Sequence, residues 1–202
     1  MTKVTNTSIF IPEGTDDATD IAGSSQIWSR TETPSALYHS DDAGNKHRLG
    51  ITQSATIAIT SGTTAEITGI PSGVKQVTLT MKTVSTTGTA NIQAQLGHGS
   101  TTFVTSGYVS SGSDYSGSVA STTGFIIFGA SAGQSRSGPM TFYLMDSSTN
   151  TWVVSGAIEY PGLGITCTGI VSLAAPLTAV RLITTDAFDS TPAAGSASVQ
   201  FQ

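Results

Sequence analysis

The residues best spaced for chemistry are Gly129-Ala130-Ser131-Ala132-Gly133, which fit the pattern G-x-S-x-G. In α/β-hydrolases that pattern is a nucleophile elbow, a sharp turn whose serine is exposed by the helix that directly follows it. Here the string is followed by Gln-Ser-Arg-Ser-Gly-Pro, which cannot form such a helix, and no strand–helix alternation occurs along the chain. In a chain with 22 glycines and abundant serine, a match of this kind is expected by chance. The string reads as a chance match.

The other reactive residue types fare no better. His39, His47 and His98 lack metal-ligand spacing such as His-x-x-x-His, and they read as polar decoration of turns. Asp16, Asp17 and Asp20 sit in no twelve-residue loop closed by a bidentate glutamate, so no calcium loop is expected. Asp41 and Asp42 read as turn formers. Gly162, Gly164 and Gly169 follow no G-x-G-x-x-G spacing. Acid–base catalysis needs carboxyl groups converging in a cleft. Glu66, Asp114, Asp146, Glu159, Asp186 and Asp189 are instead scattered over separate turns and strand ends. Cys167, the single cysteine, lies in the apolar-threonine string GITCTGIV and reads as a small core hydrophobe. The sequence therefore predicts neither an enzyme nor a cofactor or metal site.

Composition says what must position the remaining candidates. Only 10% of the 202 residues are charged, against about 25% in ordinary domains. Serine and threonine make up about three residues in ten. Threonine suits pleated surfaces, while serine and glycine supply turns. A chain with so little charge lacks the repulsion that keeps proteins monomeric, and charge depletion is what the cores of interfaces share. Self-association is therefore expected. A net charge of −5 with few Lys and Arg excludes nucleic acid as a partner. No apolar run approaches the roughly 18 residues of a membrane span, and the start MTKVTNTSIF has no secretory profile. These readings predict a protein made and assembled in a cytoplasm.

Along the chain, a composition shift near residue 50 separates two regions, because about half of all charges precede it. The expected division is an extended N-terminal arm, 1–51, and a β-sandwich, 52–202. In the arm, Ile9, Phe10 and Ile11 form one apolar knot and Trp28 stands in QIWSR. SALYHS and HRLGI flank DDAGN, a hairpin signal with Gly44 or Asn45 able to adopt positive φ.

From residue 52 on, about ten short strands alternate with turns. They are expected at 55–60, 65–70, 74–84, 91–97, 103–110, 124–130, 139–146, 151–160, 164–173, 177–185 and 195–201. In VKQVTLTMKTV, Val77, Leu79 and Met81 face one way; Gln76, Thr78, Thr80 and Lys82 face the other. GFIIF and TFYLM should be central strands covered on both faces. The serine- and glycine-rich stretch 107–122 reads as an exposed loop, placing Tyr108 and Tyr115 as contact aromatics. Trp152 reads as core. No window carries a helical stripe, so the fold class is all-β: an antiparallel, jelly-roll-like sandwich preceded by an extended N-terminal arm with a β-hairpin.

Two groups of phrases carry a family resemblance. Thr33-Pro34-Ser35-Ala36-Leu37-Tyr38 through Asp41-Asp42-Ala43-Gly44 to His47-Arg48-Leu49-Gly50 resembles a segment near the start of phage head-fibre and tail-associated proteins. The strings ITGIPSGVKQVTLTMKTVSTTGTANIQAQLG, TSGYVSS, TGFIIFGASAGQSRSGPMTFYLMDSSTNTWVVSG, LTAVRLITTDAFD and GSASVQF resemble the jelly-roll modules of tailed-bacteriophage virion proteins. Together they cover about three-quarters of the chain; STPAA, 190–194, departs from the pattern by lengthening the turn before the last strand. The resemblance implies a homotrimeric capsid decoration (cement) or head-fibre protein on the virion surface. Its arm would dock on the major capsid protein or another virion protein, with Ile9, Phe10, Ile11 and Trp28 as buried anchors. The competing expectation is a receptor-binding tip or tail-fibre protein that binds host surface glycan through Tyr108 and Tyr115. A glycan depolymerase is a third, disfavoured by the scattered carboxylates.

Overall fold

A computed structural model describes residues 13–14, 26–30, 36–40, 46–99, 102–129, 132–189 and 195–202. The chain divides into two compact units, Met1–Ile51 with Gln202, and Thr52–Phe201. Among the described residues all regular structure is strand, and antiparallel sheets pack as a sandwich.

The first unit holds one sheet of four strands in chain order: β1 (Glu13–Gly14), β2 (Gln26–Arg30), β3 (Ala36–Ser40) and β4 (Lys46–Leu49). β1 runs parallel to β2, and the other neighbours are antiparallel. Ser40 opposes Lys46, so β3 and β4 form the hairpin expected around DDAGN; 41–45 lie outside the described residues.

The second unit contains β5 (Thr52–Gln53), β6 (Ile57–Ile59), β7 (Thr64–Thr68), β8 (Gln76–Thr86), β9 (Ile92–His98), β10 (Thr102–Phe103), β11 (Val109–Asp114), β12 (Gly117–Ser121), β13 (Phe125–Ile127), β14 (Arg136–Asp146), β15 (Thr151–Tyr160), β16 (Leu163–Ser172), β17 (Leu177–Ile183), β18 (Phe188–Asp189) and β19 (Gly195–Phe201). The larger sheet has the order β12-β11-β16-β15-β14-β8-β19-β5, with β18 on β8 and β6 on β19. The smaller has the order β10-β9-β17-β7, with β13 also on β9. Period-2 alternation builds the core between them. Val77, Leu79 and Met81 point inward as expected, as do Ile92, Ala94, Leu96, Val180 and Leu182.

One irregularity resets that alternation. In β8, Thr83 has φ 50°, and the pairing with β14 slips between Arg136 and Gly138. The slip leaves two residues on β8, Lys82 and Thr83, facing Ser137 alone on β14, the signature of a bulge. The Thr83 N–H donates to the Ser137 hydroxyl (2.9 Å) in place of a ladder bond. Beyond the bulge, inward positions shift from odd to even: Met81 gives way to Val84 and Thr86. Gly138, at φ 142°, takes its place in the bulge because a Cβ there would meet the Ala157 carbonyl oxygen at 2.6 Å.

Four strand expectations need correction. Stretch 107–122 is not a loop: β11 and β12 form a hairpin, with Ser110 opposite Ser121 and Asp114 opposite Gly117. The run 103–110 is broken between β10 and β11, because Tyr108 leaves the strand to enter the core. TFYLM lies in the middle of the larger sheet but is covered on one face only, with Met140 and Phe142 buried and Tyr143 and Met145 exposed. GFIIF is buried on both faces yet lies at an edge of the smaller sheet. β13 pairs with β9 while its back rests on β11, where Gly112 leaves room: a Cβ there would sit 2.7 Å from the Ile126 carbonyl oxygen. The Ile126 N–H donates to the Ser110 hydroxyl (2.9 Å), so β13 bridges the two sheets.

Candidate functional site

The candidate contact aromatics separate cleanly. Tyr108 is buried, which overturns its expected exposure. Its hydroxyl accepts from the Leu96 N–H (2.9 Å) and donates to the Val104 carbonyl (3.2 Å), and its ring meets Phe125 edge-on at 4.9 Å. Burial pushes its hydroxyl up to about 12, against the opposing pull of the Leu96 N–H. The serine- and glycine-rich flanks of Tyr108 concealed this role, since they resemble an exposed loop while serving a tight return into the core. Tyr108→Phe is expected to cost about 1–3 kcal/mol, because it strands a buried amide donor; chemical denaturation with an unchanged m-value measures the loss.

Tyr115 remains a surface aromatic, 81% exposed at the tip of the β11–β12 hairpin. Asp114 shapes that tip by accepting from the Ser116 N–H (2.7 Å), the Ser116 hydroxyl and the Gly117 N–H. The Ser116 hydroxyl holds the Asp114 carboxyl below the usual carboxylate range. Asp146 does the same for the β14–β15 turn, accepting from the Ser148 N–H (2.8 Å) and hydroxyl and from Thr149. Both aspartates are turn formers.

In the first unit, Trp28 is buried and stacks on Tyr38, its strand partner, at 5.7 Å between centroids and 17° between planes. Its indole N–H has no hydrogen-bond partner among the described residues. Ile9, Phe10 and Ile11, the other expected anchors, lie outside the described residues.

The groups that could have been reactive occupy structural positions. Cys167 is buried, and burial pushes its thiol up to about 12. The Gly129–Gly133 string leads into strand β14, and its Ala130 and Ser131 lie outside the described residues. Trp152 is core, as expected. His98 ends β9 instead of lying in a turn, and His39 opposes His47 in the β3–β4 ladder. Among the described residues no three His, Cys, Asp or Glu gather as metal ligands. A recess of about 100 Å³ between Val74, Lys75, Leu144, Trp152 and Leu177 has room for a few waters.

What the sandwich does present is a surface. On the outward side of the larger sheet, Ser111, Thr168, Ser155, Thr141 and Thr78 stand opposite one another across five strands. Thr78 and Thr141 hydrogen-bond hydroxyl to hydroxyl at 3.1 Å, as do Ser113 and Thr166 at 2.9 Å in the next row. From β11 to β19, the described outward strand positions carry three charged residues, Lys82, Glu159 and, beyond the irregularity in β14, Asp146 opposite Thr151. The smaller sheet differs. Its outer side carries Glu66 and Arg181, 3.5 Å apart, with Arg181 also donating to Gln95 (2.8 Å) and lying over Phe103. No protein-family model, curated protein or solved structure matches this chain. The hydroxyl-faced sheet was not anticipated from sequence, although the alternation of Thr and Ser with apolar residues in β8, β14 and β16 carried its signal.

Proposed function

We propose that this chain is a structural, non-enzymatic protein of a tailed-bacteriophage virion surface. In this reading it is a homotrimeric capsid decoration or head-fibre protein, assembled in the host cytoplasm and docked on the head through residues 1–51. The observation that supports an assembly role is the broad outer face of the larger sheet, whose scarcity of charge matches the charge depletion of interface cores. The phage assignment rests on the resemblance of the phrases at 33–50 and 65–202. Trp28 is buried against Tyr38 within the chain itself, so it serves the docking unit by holding β2 and β3 together. Cryo-electron microscopy of virions carrying this chain tests the proposal: density is expected on the head lattice, and density confined to the tail would reject the head assignment.

One observation favours a second reading, a receptor-binding tip that holds host surface glycan. Tyr115 projects from a hairpin tip with its ring open to solvent, as sugar-stacking aromatics do. Binding on a glycan array that disappears in Tyr115→Ala would select this reading, and an empty array would remove it.

A further inference from the structure

The ladder registers place four apolar residues in one row across the outer face of the larger sheet. Val109 opposes Ile170, Ile170 opposes Val153, and Val153 opposes Tyr143. Their chain neighbours Ser110, Val154, Val171 and Phe142 are buried inside the sandwich, so strand alternation turns this row outward. Met145, two residues beyond Tyr143, extends it. Val109 is 70% exposed, Met145 60% and Tyr143 44%. Scattered exposed apolar residues need no explanation, but four in register on adjacent strands make a continuous stripe.

We propose that this stripe is the centre of the contact between copies of this chain, the occupant being a second copy seated on the same face. The inference rests on the assembly reading above and names the surface that performs it. Three features select a second copy. The stripe is apolar and the rows beside it are hydroxyls, the core-and-rim arrangement of protein interfaces. Serine and threonine hydroxyls both donate and accept, so a hydroxyl field is complementary to another like itself. The charges on this face, Lys82, Glu159 and Asp146, all lie outside the stripe row, so the row itself neither selects a partner of opposite charge nor repels a copy. Size agrees as well. Six strands from β11 to β19 at about 4.8 Å spacing, over about 20 Å of strand length, present roughly 600 Å². A specific interface needs at least about 500 Å² from each partner.

Sedimentation of the full chain over a concentration series provides the test. The wild type is expected to sediment as a multiple of the 20.6 kDa protomer. Val153→Arg and the milder Tyr143→Ser should each weaken association at least about tenfold, equivalent to about 1.4 kcal/mol. Thr68→Arg, on the exposed outer side of β7, should leave it unchanged, and circular dichroism should report a folded sandwich throughout. Tyr143→Ser guards against a misfolded arginine variant, because its side chain is already partly in water. If both stripe variants associate like the wild type, the stripe is not the contact, while the virion role stands. A wild type at protomer mass up to about 100 μM overturns both the stripe and the trimer. A multiple other than three, lost in the stripe variants, retains the stripe and rejects the trimer. Density on virions decides the virion role independently of all these outcomes.

Discussion

Replacing Phe142 with alanine is expected to cost about 3–5 kcal/mol, a third or more of the stability of a typical domain. Phe142 is fully buried on the inner face of β14, in the middle of the larger sheet. Its ring lies 5.6 Å from Phe125 of β13, which in turn meets Tyr108 at 4.9 Å. This aromatic chain ties the two sheets together where β13 bridges them. Truncation removes the transfer free energy of a ring and leaves a cavity that flanking strands, held by ladders on both sides, cannot collapse to fill. Phe142→Leu, which keeps most of the volume, should lose much less. Denaturant midpoints at constant m-value measure both. Equal losses for the two substitutions would show that the site relaxes freely.

Arg136 supplies the second large effect, and its sign depends on the replacement. The side chain is fully buried at the start of β14, and burial lowers its pKa from the ordinary arginine value. Among the described residues no carboxylate pairs with it. The guanidinium donates to the Gly129 and Gln134 carbonyls and lies 5.5 Å from the Tyr160 ring centroid, while its Nε–H has no partner among the described residues. It thus ties Gly129 and Gln134 to the start of β14. Arg136→Ala removes the tie, leaves the buried Gly129 carbonyl without a donor and opens a large cavity, so a loss of about 3–5 kcal/mol is expected. Arg136→Met fills most of the same space and abolishes the cost of burying a charge. Because exchanging buried charge for well-packed apolar volume is often neutral or better, Met should recover at least about 2 kcal/mol relative to Ala. Matched thermal and denaturant unfolding of the two variants checks this. A Met variant as unstable as Ala would mean that the hydrogen bonds, not the packing, hold this segment.

The strands that sequence located best are those whose neighbours impose a single constraint. β15 and β19 occupy the spans 151–160 and 195–201 read from their alternation, because each has one buried and one open face. Errors arose where a second constraint competed. The serine and glycine content of 107–122 argued for a loop, but cross-strand pairing satisfied its backbone, and hydroxyl and glycine side chains let β13 approach closely. Continuous apolarity in TFYLM argued for cover on both faces, yet Tyr143 and Met145 face outward and stay exposed. The bulge at Thr83 was equally hidden, since it depends on which residue of β14 lies opposite.

The sequence by itself determined the all-β class, the turn-bounded strand spacing and the inward set of β8 as far as Met81. Those follow from local alternation and turn chemistry, which any short window contains. Tertiary structure decided that Tyr108 belongs to the core while Tyr115 stays outside, that Arg136 is buried, and that Val109, Ile170, Val153 and Tyr143 share one row. Each depends on the register between segments tens of residues apart, and register is set by how whole strands pair and pack, a property that no single strand carries alone.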